Sequence, residues 1–256
     1  MKPLFAFLKK EFLETVRTGK LMILLLLFVL FGIMNPAIAR LTPWMMEILA
    51  DTMAESGLIV ADVSVDAMTS WMQFFKNIPM ALIAFVLLYS DLFTKEYKSG
   101  TLLLALTKGL SRCKAVLAKT VLLLSLWTFG YWICFAVTYG YNAYFWDNDI
   151  ACHLLFAVFA WWLFGVWVIS FIVLFSALLQ NNAGILLCAG GTVLLTYFIS
   201  VLPKVREYTP VLLMDSASLL NGVQGTDAYG RAVIITVIMG AACIFASIPV
   251  TNRKQL

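Results

Sequence analysis

Charged side chains cluster along this chain, and between the clusters run four stretches without Asp, Glu, Lys or Arg: residues 21–39, 120–146, 150–203 and 232–252. They are 19, 27, 54 and 21 residues long. A helix needs roughly 20 apolar residues to cross a hydrocarbon core of about 30 Å, so the first, second and fourth each predict one crossing. The third is long enough for two. Gln180-Asn181-Asn182-Ala183-Gly184 supplies the break, because consecutive amides are disfavoured in lipid and glycine ends helices. Residues 77–90 form a shorter charge-free stretch, about 21 Å of helix. Trp71, Met72, Phe74 and Phe75 before it and Leu92 and Phe93 after it extend it to a span, with Lys76 snorkelling toward headgroups. A re-entrant or interfacial segment is the competing reading there. The pattern thus predicts an all-α membrane protein with six spans, over about 21–39, 72–93, 116–140, 154–179, 184–202 and 232–251.

Composition agrees. Of 256 residues, 62% are hydrophobic and 12% charged, half the charge of an ordinary soluble domain at about 25%. That excludes a soluble enzyme, a nucleic-acid binder and a disordered chain. The net charge of +4 matters less than its distribution. With the N-terminus inside, the inner segments hold 13 of the 18 Lys and Arg, and the outer segments hold 10 of the 14 carboxylates. The split is +9 inside and −5 outside. The positive-inside rule therefore places both termini in the cytoplasm. Ala37-Ile38-Ala39 has the look of a cleavage site, but a signal-peptide core is about 7–15 residues and this run has 19. It is read as a retained span.

The flanking segments carry finer signals. Phe5, Leu8, Phe12 and Val16 fall within about 80° of one another on a helix, with Lys10, Glu14 and Arg17 opposite. Residues 3–18 are thus expected to form an interfacial helix. Pro43 to Leu49, and Val211 to Leu220, read as short amphipathic helices on the outer face. Trp127, Tyr131, Trp132, Tyr139, Tyr141, Tyr144, Phe145 and Trp146 crowd the third span. An interfacial aromatic belt explains many of them, and a substrate path would look the same. Cys113, Cys134, Cys152, Cys188 and Cys243 show no metal-type spacing. The adjacent pair Cys152-His153 reads as coincidence rather than a metal site.

The inner loop between spans two and three is the most specific segment. It turns at Ser99-Gly100, continues amphipathic, turns again at Lys108-Gly109, and becomes basic before the membrane. Ser111 is placed to cap the helix that enters span three. Composition alone leaves open whether this is a docking stub or a plain connection. Its residues settle on a resemblance. Glu96-Tyr97-Lys98-Ser99-Gly100-Thr101-Leu102, then Ser111-Arg112, then Lys119, resembles the signature of ABC-2 type transporter permeases. Lys108-Gly109-Leu110 departs from it, standing where that family often has a proline-containing turn. The topology resembles the family along the whole chain.

The resemblance implies a permease that dimerises, most simply as a homodimer, around a translocation path. Each half would dock on a separate ATPase subunit, two per complex, through a coupling loop over residues 94–112. Glu96, Tyr97, Lys98, Gly100, Thr101, Leu102 and Arg112 would then form the coupling surface. ATP and Mg would be bound by the partner, with no cofactor in this chain. The residues agree that this chain is not the enzyme, since no Gly-x-x-x-x-Gly-Lys-Ser/Thr run occurs. No carboxylates cluster inside the spans, which argues against ion-coupled transport. The polar lining is thin, with Asn35, Thr128 and Asn142 among aromatic neighbours such as Trp127 and Tyr131. These five are the candidate path residues, and so apolar a path suits amphipathic or lipid-like cargo. The chain resembles bacterial permeases that export amphipathic peptides, phenol-soluble modulins among them. A lipid, small hydrophobic drug or antibiotic is the alternative cargo, and a non-transporting anchor or sensor for an ATPase the alternative function. The expected setting is the bacterial plasma membrane, with lipid as the remaining partner and no nucleic acid.

Overall fold

The computed structural model describes residues 2–54, 65–95 and 111–253. Among the described residues the regular structure is entirely helical. The first helix, α1 (Lys2–Arg17), ends in a tight turn at Gly19, whose φ of +72° lies in the left-handed region that glycine adopts without strain. Thr18 and Gly19 donate backbone hydrogen bonds to the Glu14 and Val16 carbonyls. The chain then reverses into α2 (Lys20–Ala54). Asp66 caps α3 (Ala67–Tyr89) by accepting from the Thr69 N–H, and a short turn over Ser90–Leu92 follows. Ser111 caps α4 (Arg112–Phe145), its hydroxyl accepting from the Lys114 N–H. His153, at φ 48°, leads into α5 (Leu154–Leu178). Asn181, from the predicted break, caps α6 (Asn182–Ser200). The chain then folds back through α7 (Pro203–Arg206), a turn over Pro210–Met214, α8 (Ser216–Leu220) and a turn over Thr226–Tyr229 before α9 (Gly230–Arg253).

Six of these helices are long and apolar enough to cross a membrane. They are α2, α3, α4, α5, α6 and α9. Two overshoot the bilayer core: α2 has 35 residues and α4 has 34, about 50 Å each against a core of about 30 Å. Pro43 to Leu49, expected as a separate outer helix, instead continue α2, which runs through Pro36 and Pro43. Arg40, whose charge marks the end of the hydrophobic run, lies over the Phe145 ring at 4.3 Å. That cation–π contact ties α2 to the end of α4.

The core sits where α2, α3, α4 and α5 meet. Trp71, Phe74, Phe85, Trp127, Tyr131 and Trp167 are fully buried there. Glycines set the closest approaches. A Cβ on Gly165 would lie 2.3 Å from the Trp127 ring, and one on Gly130 would lie 2.7 Å from the Phe28 ring. Small residues at helix crossings allow such contact in membranes, where packing rather than hydrophobicity holds helices together. Helix α5 is central and contacts α4, α6, α8 and α9. The segment 209–220 folds inward over it, burying Leu213, Leu219 and Leu220.

Candidate functional site

One end of the bundle gathers α1, the start of α2, the end of α3 and the start of α4. The sequence reason is charge: Lys20, Asp91, Lys95 and Lys119 fall at or near the ends of their helices, and Lys10, Glu11 and Glu14 lie along α1. The structure joins them. Lys20 Nζ bonds Asp91 Oδ1 at 2.5 Å and the Leu88 carbonyl at 3.2 Å. Lys95 Nζ bonds Glu14 Oε1 at 2.6 Å. Lys119 Nζ donates to the Leu92 carbonyl at 2.5 Å, sits 3.9 Å from Glu11 Oε2, and lies over the Phe93 ring. Lys10 reaches both Glu11 and Glu14. Between these groups is a polar cavity of about 20 Å³, room for one water.

Burial separates the pairs. Glu11 and Lys119 are each only 3% exposed. A buried pair of this kind adds little net stability when intact, and Glu11 has a second, closer base in Lys10 at 2.8 Å. Glu14 and Lys95 are more open. Their hydrogen bond holds the Glu14 carboxyl below its ordinary value and the Lys95 ammonium above its own, with burial opposing both shifts.

The turn of α1 is as informative as its charges. Phe7, Glu11 and Thr15 face inward, while Phe5, Phe12 and Val16 are exposed. Three residues of the apolar stripe predicted from sequence therefore point away from the protein, as a helix lying on a lipid surface requires, while the fourth, Leu8, is half-buried against the core.

This junction holds both stems of the predicted coupling loop. Lys95, on one side, is tied to α1. On the other, Arg112 Nη1 reaches the Thr251 carbonyl of α9 at 3.4 Å, and Lys119 reaches α1 and the end of α3. Asn182 donates to Ser90 Oγ at 3.0 Å, so the α5–α6 turn joins the same end. Of the expected coupling residues, Arg112 stands in the junction. Glu96, Tyr97, Lys98, Gly100, Thr101 and Leu102 lie outside the described residues.

The five candidate path residues divide differently. Asn35, Trp127, Tyr131 and Asn142 are buried inside the single chain. Trp127 Nε1 donates to the Trp162 carbonyl at 3.2 Å, and Tyr131 Oη to the Val158 carbonyl at 2.8 Å, so both fasten α4 to α5. Thr128 Oγ1 accepts from Trp162 Nε1 at 3.1 Å. Asn142 has both side-chain polar atoms unpartnered among the described residues. Tyr139, Tyr141 and Tyr144 of α4 are exposed toward its end, while Phe135 is buried.

Asn35 belongs to a relay that sequence reading missed. Pro36 has no N–H, so the Gly32 carbonyl four residues back loses its helical donor. Thr138 Oγ1 donates to that carbonyl at 2.9 Å in its place. Asn35 Nδ2 donates to Thr138 Oγ1 at 3.2 Å, and Asn77 Nδ2 to Asn35 Oδ1 at 2.8 Å. All three side chains are buried. The signal was available, since a proline inside a span implies an orphaned carbonyl that a neighbouring helix must satisfy. No metal site competes for attention: among the described residues no three His, Cys, Asp or Glu side chains converge.

Comparison with known proteins gives one match. A family model described as ABC-2 family transporter protein matches residues 5–205. No curated protein and no solved structure matches the chain.

Proposed function

The chain belongs to the ABC-2 family of transporter proteins, and from that premise we propose that it is the permease subunit of an ATP-driven exporter. The charged end of the bundle then faces the cytoplasm, with both termini. A separate ATPase binds ATP and Mg²⁺ and docks on the loop 94–112 through Glu96, Tyr97, Lys98, Gly100, Thr101, Leu102 and Arg112. Two ATPase copies serve two permease copies, most simply a homodimer in a bacterial plasma membrane.

The observation that carries this reading is the junction. Lys95 and Lys119 flank the loop on its two sides, and both meet α1, Lys95 by a hydrogen bond to Glu14 and Lys119 by an ion pair with Glu11 at 3.9 Å. A push on the loop is therefore delivered to α1 and to the starts of α2 and α4 together, without a lever of its own. No covalent chemistry is needed in this chain. The translocation route runs between two copies. Asn35, Trp127, Thr128, Tyr131 and Asn142 act on it from behind, by holding the helices that line it. The cargo is an amphipathic peptide, which suits a route bounded by apolar helices and short polar side chains.

The test is ATP turnover by the full chain with its ATPase in nanodiscs, with amphipathic helical peptides compared against lipids and small drugs. Peptide stimulation that is lost in Gly100→Pro and Glu96→Ala, with the complex still assembled, supports the reading. Stimulation by lipids or drugs alone replaces the cargo. ATP turnover without movement of any cargo across the membrane would leave an anchor or sensor, and absence of ATPase binding overturns the permease role.

A further inference from the structure

At the end of the bundle opposite the charged junction, a groove of about 570 Å³ opens between the end of α4 and the start of α5. Drug-sized ligands occupy cavities of about 300–1,000 Å³. Its walls are apolar and aromatic: Phe135 and Tyr139 from α4, Leu154 and Leu155 from α5. The Tyr139 ring is exposed, and Phe135 and Trp71 pack against it at 5.8 and 6.3 Å. Asn148 fixes the floor, accepting from Trp71 Nε1 at 3.0 Å and donating to the Tyr139 carbonyl at 3.4 Å. The mouth carries Asp149, with His153 beside it.

The charge at this mouth is one-sided. Asp147 Oδ1 accepts from the Asp149 N–H at 3.1 Å, which sets the turn. Asp147 and Asp149 are both exposed, and among the described residues neither is paired with a base. Of the other acids at this end, Asp215 is paired with Arg206 and Glu207 with Arg231, while Asp227 is exposed but lies outside the groove. An aromatic wall under an uncompensated carboxylate is the chemistry that recognises an organic cation. Ring faces attract positive charge, the carboxylate supplies the counter-charge, and the apolar walls take the body of the ligand.

We propose that this groove binds a small lipophilic cation, with its apolar body on Phe135, Tyr139, Leu154 and Leu155 and its charge at Asp149. The inference rests on the proposed orientation only for the side of the membrane it faces, the outer one. It adds a charge preference to the ligands the permease meets there.

Binding is tested without the ATPase, so failure here and failure of the exporter reading are distinct. The full chain in nanodiscs is titrated with radiolabelled tetraphenylphosphonium, and empty nanodiscs give the lipid background. Tetraphenylborate, of the same shape and opposite charge, is the matched probe. The expected result is saturable binding of one phosphonium per chain and none of the borate above background. Asp149→Asn should weaken it about fivefold, the value of one partly exposed charge, and Asp147→Asn with Asp149→Asn by more. Tyr139→Leu should weaken it about threefold. Asp227→Asn, an exposed carboxylate outside the groove, should change nothing. Equal binding of both probes, phosphonium binding no greater than to empty nanodiscs, or unchanged affinity in the double aspartate variant in a chain that elutes as a folded species would overturn the proposal.

Discussion

Helices α5 and α6 follow one another, share a charge-free sequence, and are treated oppositely by the fold. Within their most hydrophobic windows, 72% of α5 is buried but only 11% of α6. Helix α5 is surrounded by α4, α9 and the inward-folded segment after α6, while α6 turns Leu187, Leu194, Leu195 and Phe198 outward. Hydropathy cannot separate the two, because lipid tails are as apolar as a protein core. What separates them is fit. Gly165 of α5 receives the Trp127 ring, whereas added Cβ atoms on Gly190 and Gly191 of α6 would meet nothing within 4 Å.

The comparison can be broken most severely through charge. Lys119→Ala removes a buried ammonium and its bond to the Leu92 carbonyl on the packed side, while Lys10 still holds Glu11, and should cost about 1.5–3 kcal/mol. Arg231→Ala, whose pair with Glu207 is mostly exposed, should cost no more than about 1 kcal/mol. Thermal midpoints of the purified chain in nanodiscs check both, and equal losses would mean that the junction is not closed to water.

Packing gives the next effect. Gly165→Ala should destabilise by about 1–3 kcal/mol, because the Trp127 ring must move. Gly190→Ala should leave stability unchanged or raise it by up to about 1 kcal/mol through helix propensity. The same midpoints read the difference, and tryptophan fluorescence should shift in the first variant alone.

Hydroxyls sharpen it further. Thr138→Val should cost about 1–3 kcal/mol, since the buried Gly32 carbonyl loses the Thr138 hydroxyl that stands in for the N–H missing at Pro36. Thr192→Val in α6 should be near neutral, because that hydroxyl only bonds the Cys188 carbonyl of its own helix. Thr138→Ser should restore the donor and most of the loss.

The smallest effect concerns pH. The depressed Glu14 carboxyl contributes to holding α1 when ionised. That contribution is whole above the ordinary value of 4.5 and fades as pH falls through the lower folded value. The raised Lys95 ammonium contributes below its ordinary 10.5 and fades as pH rises through the higher folded value. Solvent screening keeps the tie below about 1 kcal/mol. Backbone hydrogen exchange over α1, corrected for intrinsic rates, should therefore be flat between these limits and rise slightly beyond either.

The spans were legible because each is a matter of composition over about 20 residues. The α5–α6 break was legible because three amides have few places in lipid. Other features depended on a second helix that no local pattern contains. Arg40 reads as the end of a span, but Phe145 lets α2 continue past it. The α1 stripe was visible, yet only the buried Glu11 shows which face meets the protein. In the candidate site, Lys95, Arg112 and Lys119 could be placed near the loop from sequence, while their partners Glu14, Thr251 and Glu11 come from distant parts of the chain. Asn35 was noticed for its polarity, but its purpose lay in Thr138 and Asn77.

The Thr138 hydroxyl also sets an order of assembly. It is 106 residues downstream of the carbonyl it serves, a delay of about 5–20 s at translation speeds of about 5–20 residues per second. Until α4 is made, the Gly32 carbonyl of α2 is without this donor. The relay of Thr138, Asn35 and Asn77 is thus complete only once α2, α3 and α4 are all present.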